Sequence, residues 1–157
     1  MNVLITGGAG YIGSELVGYL IDNHNVTVLD SLMYDHTSLL RYAQNDRFNF
    51  VKGDVRNTKL LYRLMNKNDI ILPLAALVGF PLCDDHPRDA QEINYGVNRY
   101  IAERKSADQM VIYPCTNSGY GVSKDGSVCT ELSPLNPVSL YGKTKVMAER
   151  VYQEADN

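Results

Sequence analysis

Cysteine is scarce in this chain. There are three, Cys83, Cys115 and Cys129, an odd number with no C-x-x-C spacing. That argues against a disulfide framework and against a zinc site, and it fits a reducing compartment such as the cytoplasm. Charge of one sign is scarce too: 15 basic against 18 acidic residues give a net charge of −3. Such a balance offers no basic footprint for nucleic acid. No apolar run approaches the roughly 20 residues that a membrane-spanning helix needs. The first residues carry no charged leader and no cleavage site before a strand-like run begins, so no secretory signal is expected. No repeat and no low-complexity stretch is present. The rest is ordinary: 157 residues, 45% apolar and 21% charged, enough for one soluble domain with a real core.

The opening of the chain is the most specific stretch. Asn2-Val3-Leu4-Ile5 reads as a short strand, Thr6-Gly7-Gly8-Ala9-Gly10-Tyr11-Ile12-Gly13 as a glycine loop, and Ser14 to Asp22 as a helix. Strand, glycine loop and helix place a dinucleotide pyrophosphate on a helix N-terminus. Backbone N–H groups reach a phosphate only where no Cβ blocks the approach, which is why glycines recur there. Gly7, Gly10 and Gly13 satisfy GxxGxxG, while Gly8, Gly10 and Gly13 satisfy GxGxxG.

Further on, strand-like and helix-like patches alternate. Strands are expected at 26–30, 48–51, 69–72 and 110–113. Helices are expected at 38–44, 58–66, 87–106 and 138–155, with a loop rich in Gly, Ser and Pro at 119–137. This alternation predicts an α/β fold with a parallel sheet and right-handed crossovers. Asp30 ends the second strand, where a carboxylate can hold both ribose hydroxyls of an adenosine and repel a 2′-phosphate. No Arg follows closely to welcome that phosphate, so NAD is expected over NADP.

A proton-transfer pair stands near the end. Tyr141 and Lys145 are four residues apart, one turn on a single helix face. A tyrosine is a poor base at neutral pH, and a nearby ammonium with a positive nicotinamide would lower its pKa. The same spacing joins Tyr120 to Lys124, but glycines around that pair read as loop. Thr116 follows the fifth strand. Its hydroxyl could meet a substrate oxygen beside the Tyr141 phenol, or it could simply satisfy a backbone group. Cys115 beside it reads as a small buried strand-end residue.

Taken together, these segments resemble the N-terminal part of an extended short-chain dehydrogenase/reductase of the nucleotide-sugar epimerase/dehydratase family. The residues that carry the likeness are Thr6 to Gly13, Asp30, Gly53-Asp54-Val55-Arg56, Leu74-Ala75-Ala76, Asn94, Thr116 to Gly121, Glu131 with Pro134 and Pro137, and Tyr141 to Lys145. The resemblance implies a Rossmann-type, doubly wound, three-layer αβα domain over 1–157. Its parallel sheet would have about five strands in the order 3-2-1-4-5, ending before a sixth strand and a C-terminal substrate lobe. It implies NAD held by Gly7, Gly10, Tyr11, Ile12, Gly13, Asp30, Asp54, Val55, Leu74, Ala75 and Ala76, with Tyr141 and Lys145 at the nicotinamide end. Asp54 would take the adenine amino group and Val55 would lie beside the ring.

Thr116, Tyr141 and Lys145 would be the catalytic residues, oxidising a sugar hydroxyl with hydride passing to NAD+. A nucleotide-sugar is the implied substrate, and a homodimer through helices 87–106 and 138–155 is the implied assembly. No metal is implied. Four positions depart from the pattern. Pro73 stands where His is common, and Gly119 replaces a bulky apolar residue. Asn117-Ser118 stands where 4,6-dehydratases carry Asp-Glu, which disfavours that reaction and leaves an epimerase or a reductase/decarboxylase relative. A chain of this length is expected to turn over weakly or not at all on its own. A non-catalytic NAD-binding module is the alternative.

Overall fold

A computed structural model describes residues 1–122 and 128–155. The chain divides into two compact units, Met1–Ala75 with Arg104–Pro114, and Ala76–Glu103 with Cys115–Asn157.

The first unit holds all five strands: β1 (Asn2–Thr6), β2 (Asn25–Asp30), β3 (Phe48–Lys52), β4 (Ile70–Pro73) and β5 (Met110–Val111). They form one sheet in the order β3-β2-β1-β4-β5, every neighbouring pair parallel. The expected order is therefore the observed one. Register explains how both faces are covered. Val3 and Ile5 of β1 pair with Val26 and Val28 of β2 and share a face with them. They form a buried cluster with Val17 and Ile21 at helix α1 (Tyr11–Leu20). Leu29 points to the opposite face. There it approaches Leu60 of helix α2 (Thr58–Met65), both lying within 3.3 Å of where a Cβ on Gly53 would stand. The sheet of this unit is thus wound on both faces. Asn57 caps α2 by accepting the Leu60 N–H at 3.1 Å.

Two expectations in this unit shorten. The helix expected at 38–44 is a single 3₁₀ turn, Leu40–Tyr42. Its neighbour Leu39 and Tyr42 are drawn onto the core instead. The fifth strand pairs only at Met110–Val111, with one further bond from the Ile112 N–H to the Ile71 carbonyl. Pro114, with no N–H to donate, follows two residues later.

The second unit is helical among its described residues: α3 (Phe80–Asp85), α4 (Pro87–Ala90), α5 (Val97–Arg104, whose last residue belongs to the first unit) and α6 (Leu140–Ala155). The single helix expected at 87–106 is broken by a π-helical turn at Gln91–Gly96. A buried asparagine pair accompanies the turn. Asn98 Nδ2 donates to the Asn94 carbonyl at 2.9 Å, competing with the regular ladder. The Asn94 side chain meanwhile closes on the backbone of Leu77, accepting its N–H at 2.8 Å and donating to its carbonyl at 2.9 Å.

Candidate functional site

In the first unit the glycine loop hangs from the two central strands. Gly7 N–H donates to the Leu29 carbonyl at 2.8 Å, and Thr6 receives Leu74 N–H on its carbonyl at 3.0 Å. Gly7 lies at φ +71°, and a Cβ on it would stand 2.6 Å from the Ala75 nitrogen. A Cβ on Gly13 would stand 2.6 Å from Gly8 Cα. These two glycines are therefore required by left-handed backbone and by close approach. Gly10 differs: a Cβ there would meet only the Gly7 carbonyl, at 3.3 Å. It precedes α1 in extended conformation with no side chain capping the helix, and Tyr11 and Ile12 beside it are exposed. The first N–H groups of a helix have no partner within it. This combination fits an anionic dinucleotide, whose backbone phosphates the loop and helix would receive.

Asp30 supports that loop. Its Oδ2 accepts the Ala9 N–H at 2.9 Å and its Oδ1 the Leu32 N–H at 2.8 Å, which leaves further lone pairs on the carboxylate. Asp54 is gripped by Arg56, with the shortest guanidinium contact at 2.7 Å. That hydrogen bond holds the Asp54 carboxyl below the usual range, against a smaller opposing effect of burial. Val55 is buried, and Leu74 and Ala75 are half-buried. Ala75 closes this unit and Ala76 opens the other.

In the second unit Thr116, Tyr141 and Lys145 are brought together. Thr116 precedes the 3₁₀ turn Asn117–Tyr120 and accepts the Ser118 N–H on Oγ1 at 3.2 Å. Its own proton goes to the Tyr141 oxygen. The backbone partner expected of Thr116 is therefore present, and its hydroxyl also lies beside the Tyr141 phenol. Gly142 permits this closeness, since a Cβ there would stand 2.9 Å from the Ser118 carbonyl. Gly119 has the same kind of reason: a Cβ would press to 2.9 Å on Val146. Burial pushes the Tyr141 phenol above its ordinary value, while the Thr116 bond draws it down.

Lys145 is only 5% exposed, and desolvation lowers it to about 8. The groups that raise it against this trend are Cys115 and Glu149. In the chain alone the half-buried phenol is governed by desolvation, which raises it. Lys124, which completes the second tyrosine–lysine spacing, lies outside the described residues.

Some neighbours carry no legible signal in sequence. Cys115 is exposed as a residue rather than buried, yet its sulfur is crowded. Burial and a hydrogen bond to Glu149 push the thiol up to about 11. Asn94, Asn98, Thr144 and Tyr152 form a buried polar chain under α6. Tyr152 donates to Asn98 Oδ1 at 2.9 Å, and Asn94 Nδ2 reaches Thr144 Oγ1 at 3.4 Å. Of these only Asn94 belongs to a recognisable pattern. Among the described residues no helix is long and apolar enough to cross a membrane.

Comparison with known proteins places this geometry. The model of the NAD dependent epimerase/dehydratase family matches residues 3–157. A UDP-glucose 4-epimerase of Lactobacillus helveticus is 32% identical over 161 residues, covering 99% of this chain and 47% of the relative. A UDP-N-acetylglucosamine 4,6-dehydratase (inverting) of Campylobacter jejuni is 27% identical, covering 99% and 44%. Among solved structures, the UDP-glucuronic acid 4-epimerase of Bacillus cereus in complex with UDP-glucuronic acid and NAD superposes with a TM-score of 0.89. It shares 26% identity and covers 99% of this chain and 52% of its own. The chain spans about half the length of the relatives it matches.

Proposed function

The chain belongs to the NAD dependent epimerase/dehydratase family, and from that premise we propose that it binds NAD and carries the hydride-transfer residues of a nucleotide-sugar epimerase. When bound, NAD+ accepts a hydride from a sugar carbon. The chain's own residues do the rest. Gly7, Gly10 and Gly13 admit the pyrophosphate to the start of α1, Tyr11, Ile12, Leu74, Ala75 and Ala76 line its groove, and Asp30 takes the adenosine ribose. Asp54 and Val55 receive the adenine. Tyr141 accepts the proton of the sugar hydroxyl as that carbon becomes a ketone, and Thr116 steadies the phenolate. Lys145 contributes a cation toward the nicotinamide ribose. Asn117 and Ser118 supply no acid–base pair for eliminating water, which favours epimerisation over 4,6-dehydration.

The observation that carries this reading is the hydrogen bond between Thr116 and Tyr141, one turn of α6 from a buried Lys145. A chain with half its relatives' length is expected to turn over weakly, because remote parts of a substrate supply the binding that positions the reacting carbon. The free cysteines suit the cytoplasm. A homodimer through 87–106 and 138–155 completes the reading.

Purified chain with NAD+ and a panel of UDP- and dTDP-sugars tests it, by nicotinamide absorbance and product epimerisation. Activity that falls about a hundredfold or more in Tyr141→Phe supports it. A second reading is a non-catalytic NAD-binding module, for which the main-chain cradle at Gly7 and Gly13 would suffice by itself. Tight NAD binding with no turnover on any sugar selects that reading.

A further inference from the structure

The eight residues after β2 are bent back onto the glycine loop. Leu32 (φ +56°) and Asp35 (φ +50°) are the two non-glycine residues in left-handed conformation among the described residues. Such backbone is costly and persists only where surrounding contacts impose it. The contacts are specific. His36 Nδ1 lies 3.2 Å from the Ala9 carbonyl, and Ser38 Oγ donates to the same carbonyl at 2.9 Å. A carbonyl only accepts, so Nδ1 carries the proton. Tyr34 lies against the imidazole, ring centres 5.7 Å apart. On the other side of the Ala9 residue, Asp30 accepts its N–H. Ala9 is therefore clasped at its N–H and at its carbonyl, one residue before the glycine that opens α1.

We propose that His36 is a positioning residue for the dinucleotide: by donating Nδ1–H to the Ala9 carbonyl it holds the glycine loop in the shape that receives the phosphates. This rests on the NAD-binding reading above. The chemistry required at position 36 is a short-reach N–H donor. Asparagine places its amide nitrogen where histidine has Nδ1, two bonds beyond Cβ, whereas alanine offers no donor.

The test is NAD titration by calorimetry on the wild-type chain, His36→Ala and His36→Asn, beside amide hydrogen exchange of Ala9 and Gly10 without NAD. The expected result is an NAD affinity about fivefold weaker in His36→Ala and near wild type in His36→Asn. Exchange at Ala9 and Gly10 should quicken only in His36→Ala. Equal affinity in wild type and His36→Ala overturns the proposal, as does a His36→Asn chain as weak as His36→Ala. A wild-type chain that binds no NAD overturns the NAD-binding reading instead. The exchange rates then decide the clasp alone, and it fails if they are the same in all three chains.

Discussion

The two compact units build their sites from different material. In Met1–Ala75 with Arg104–Pro114 the candidate phosphate cradle is main chain: N–H groups at the start of α1, beside glycines whose Cβ positions are already occupied by backbone. In Ala76–Glu103 with Cys115–Asn157 the candidate groups are side chains, Thr116, Tyr141 and Lys145, and burial displaces the proton affinities of the last two. A main-chain cradle works whenever the backbone path is right and is indifferent to pH. A side-chain site has the right geometry and still depends on how much water its neighbours exclude. The difference also reaches the cores. The first unit rests on strand side chains such as Val3, Ile5 and Val28, while α6 in the second buries Val146 and Ala148 beside a chain of amides and hydroxyls.

Three substitutions break or sharpen that contrast. The largest effect is expected from Gly7→Val. It forces a β-branched residue to φ +71° and drives its Cβ to 2.6 Å from the Ala75 nitrogen. Destabilisation of about 4 kcal/mol in urea unfolding, with NAD binding lost, is expected. A Gly7→Val chain that binds NAD normally would show that the cradle is not a backbone property.

Next comes Lys145. Its pKa falls from the ordinary 10.5 to about 8 in the fold. The unfolded chain holds that proton more tightly, so the charge burdens the folded state most below pH 8, and stability rises with pH between those two values. The recovery is on the order of 3 kcal/mol. Lys145→Met should remove this rise and be the more stable protein at neutral pH, read from unfolding curves taken on both sides of the window. Parallel pH dependence in the two proteins would mean that Lys145 is not desolvated.

The smallest effect is expected from Tyr152→Phe. It deletes the 2.9 Å bond to Asn98 and costs about 1 kcal/mol, with no change in NAD affinity. A loss of NAD affinity would show that the polar chain under α6 serves the cofactor as well as the helix.

Much of this could be read from residue order. The alternation of patches predicted the five parallel strands, and the glycine loop and the tyrosine–lysine spacing supplied the candidate residues within each unit. What escaped has a common physical origin. The 3₁₀ turn at Leu40–Tyr42 and the π turn at Gln91–Gly96 lie beside contacts with distant residues, the core cluster at Leu39 and Tyr42 and the Leu77 backbone at Asn94. Asn98 looks like an ordinary helix-surface amide until Tyr152 is seen to meet it, and the contact of Asn94 with Leu77 is equally silent in the sequence. The clasp of His36 and Ser38 on Ala9 joins residues 27 and 29 positions apart, with no periodic signal to announce it.

The sequence by itself determined the family, the parallel sheet and the cofactor loop. Each of these depends on backbone conformations that particular residues allow or forbid, glycine above all. Only the tertiary structure decided how burial displaces the titrating groups: a phenol raised, a lysine brought to about 8, a cysteine brought to about 11. Desolvation is a sum over neighbours from distant parts of the chain, and no local stretch of residues contains it.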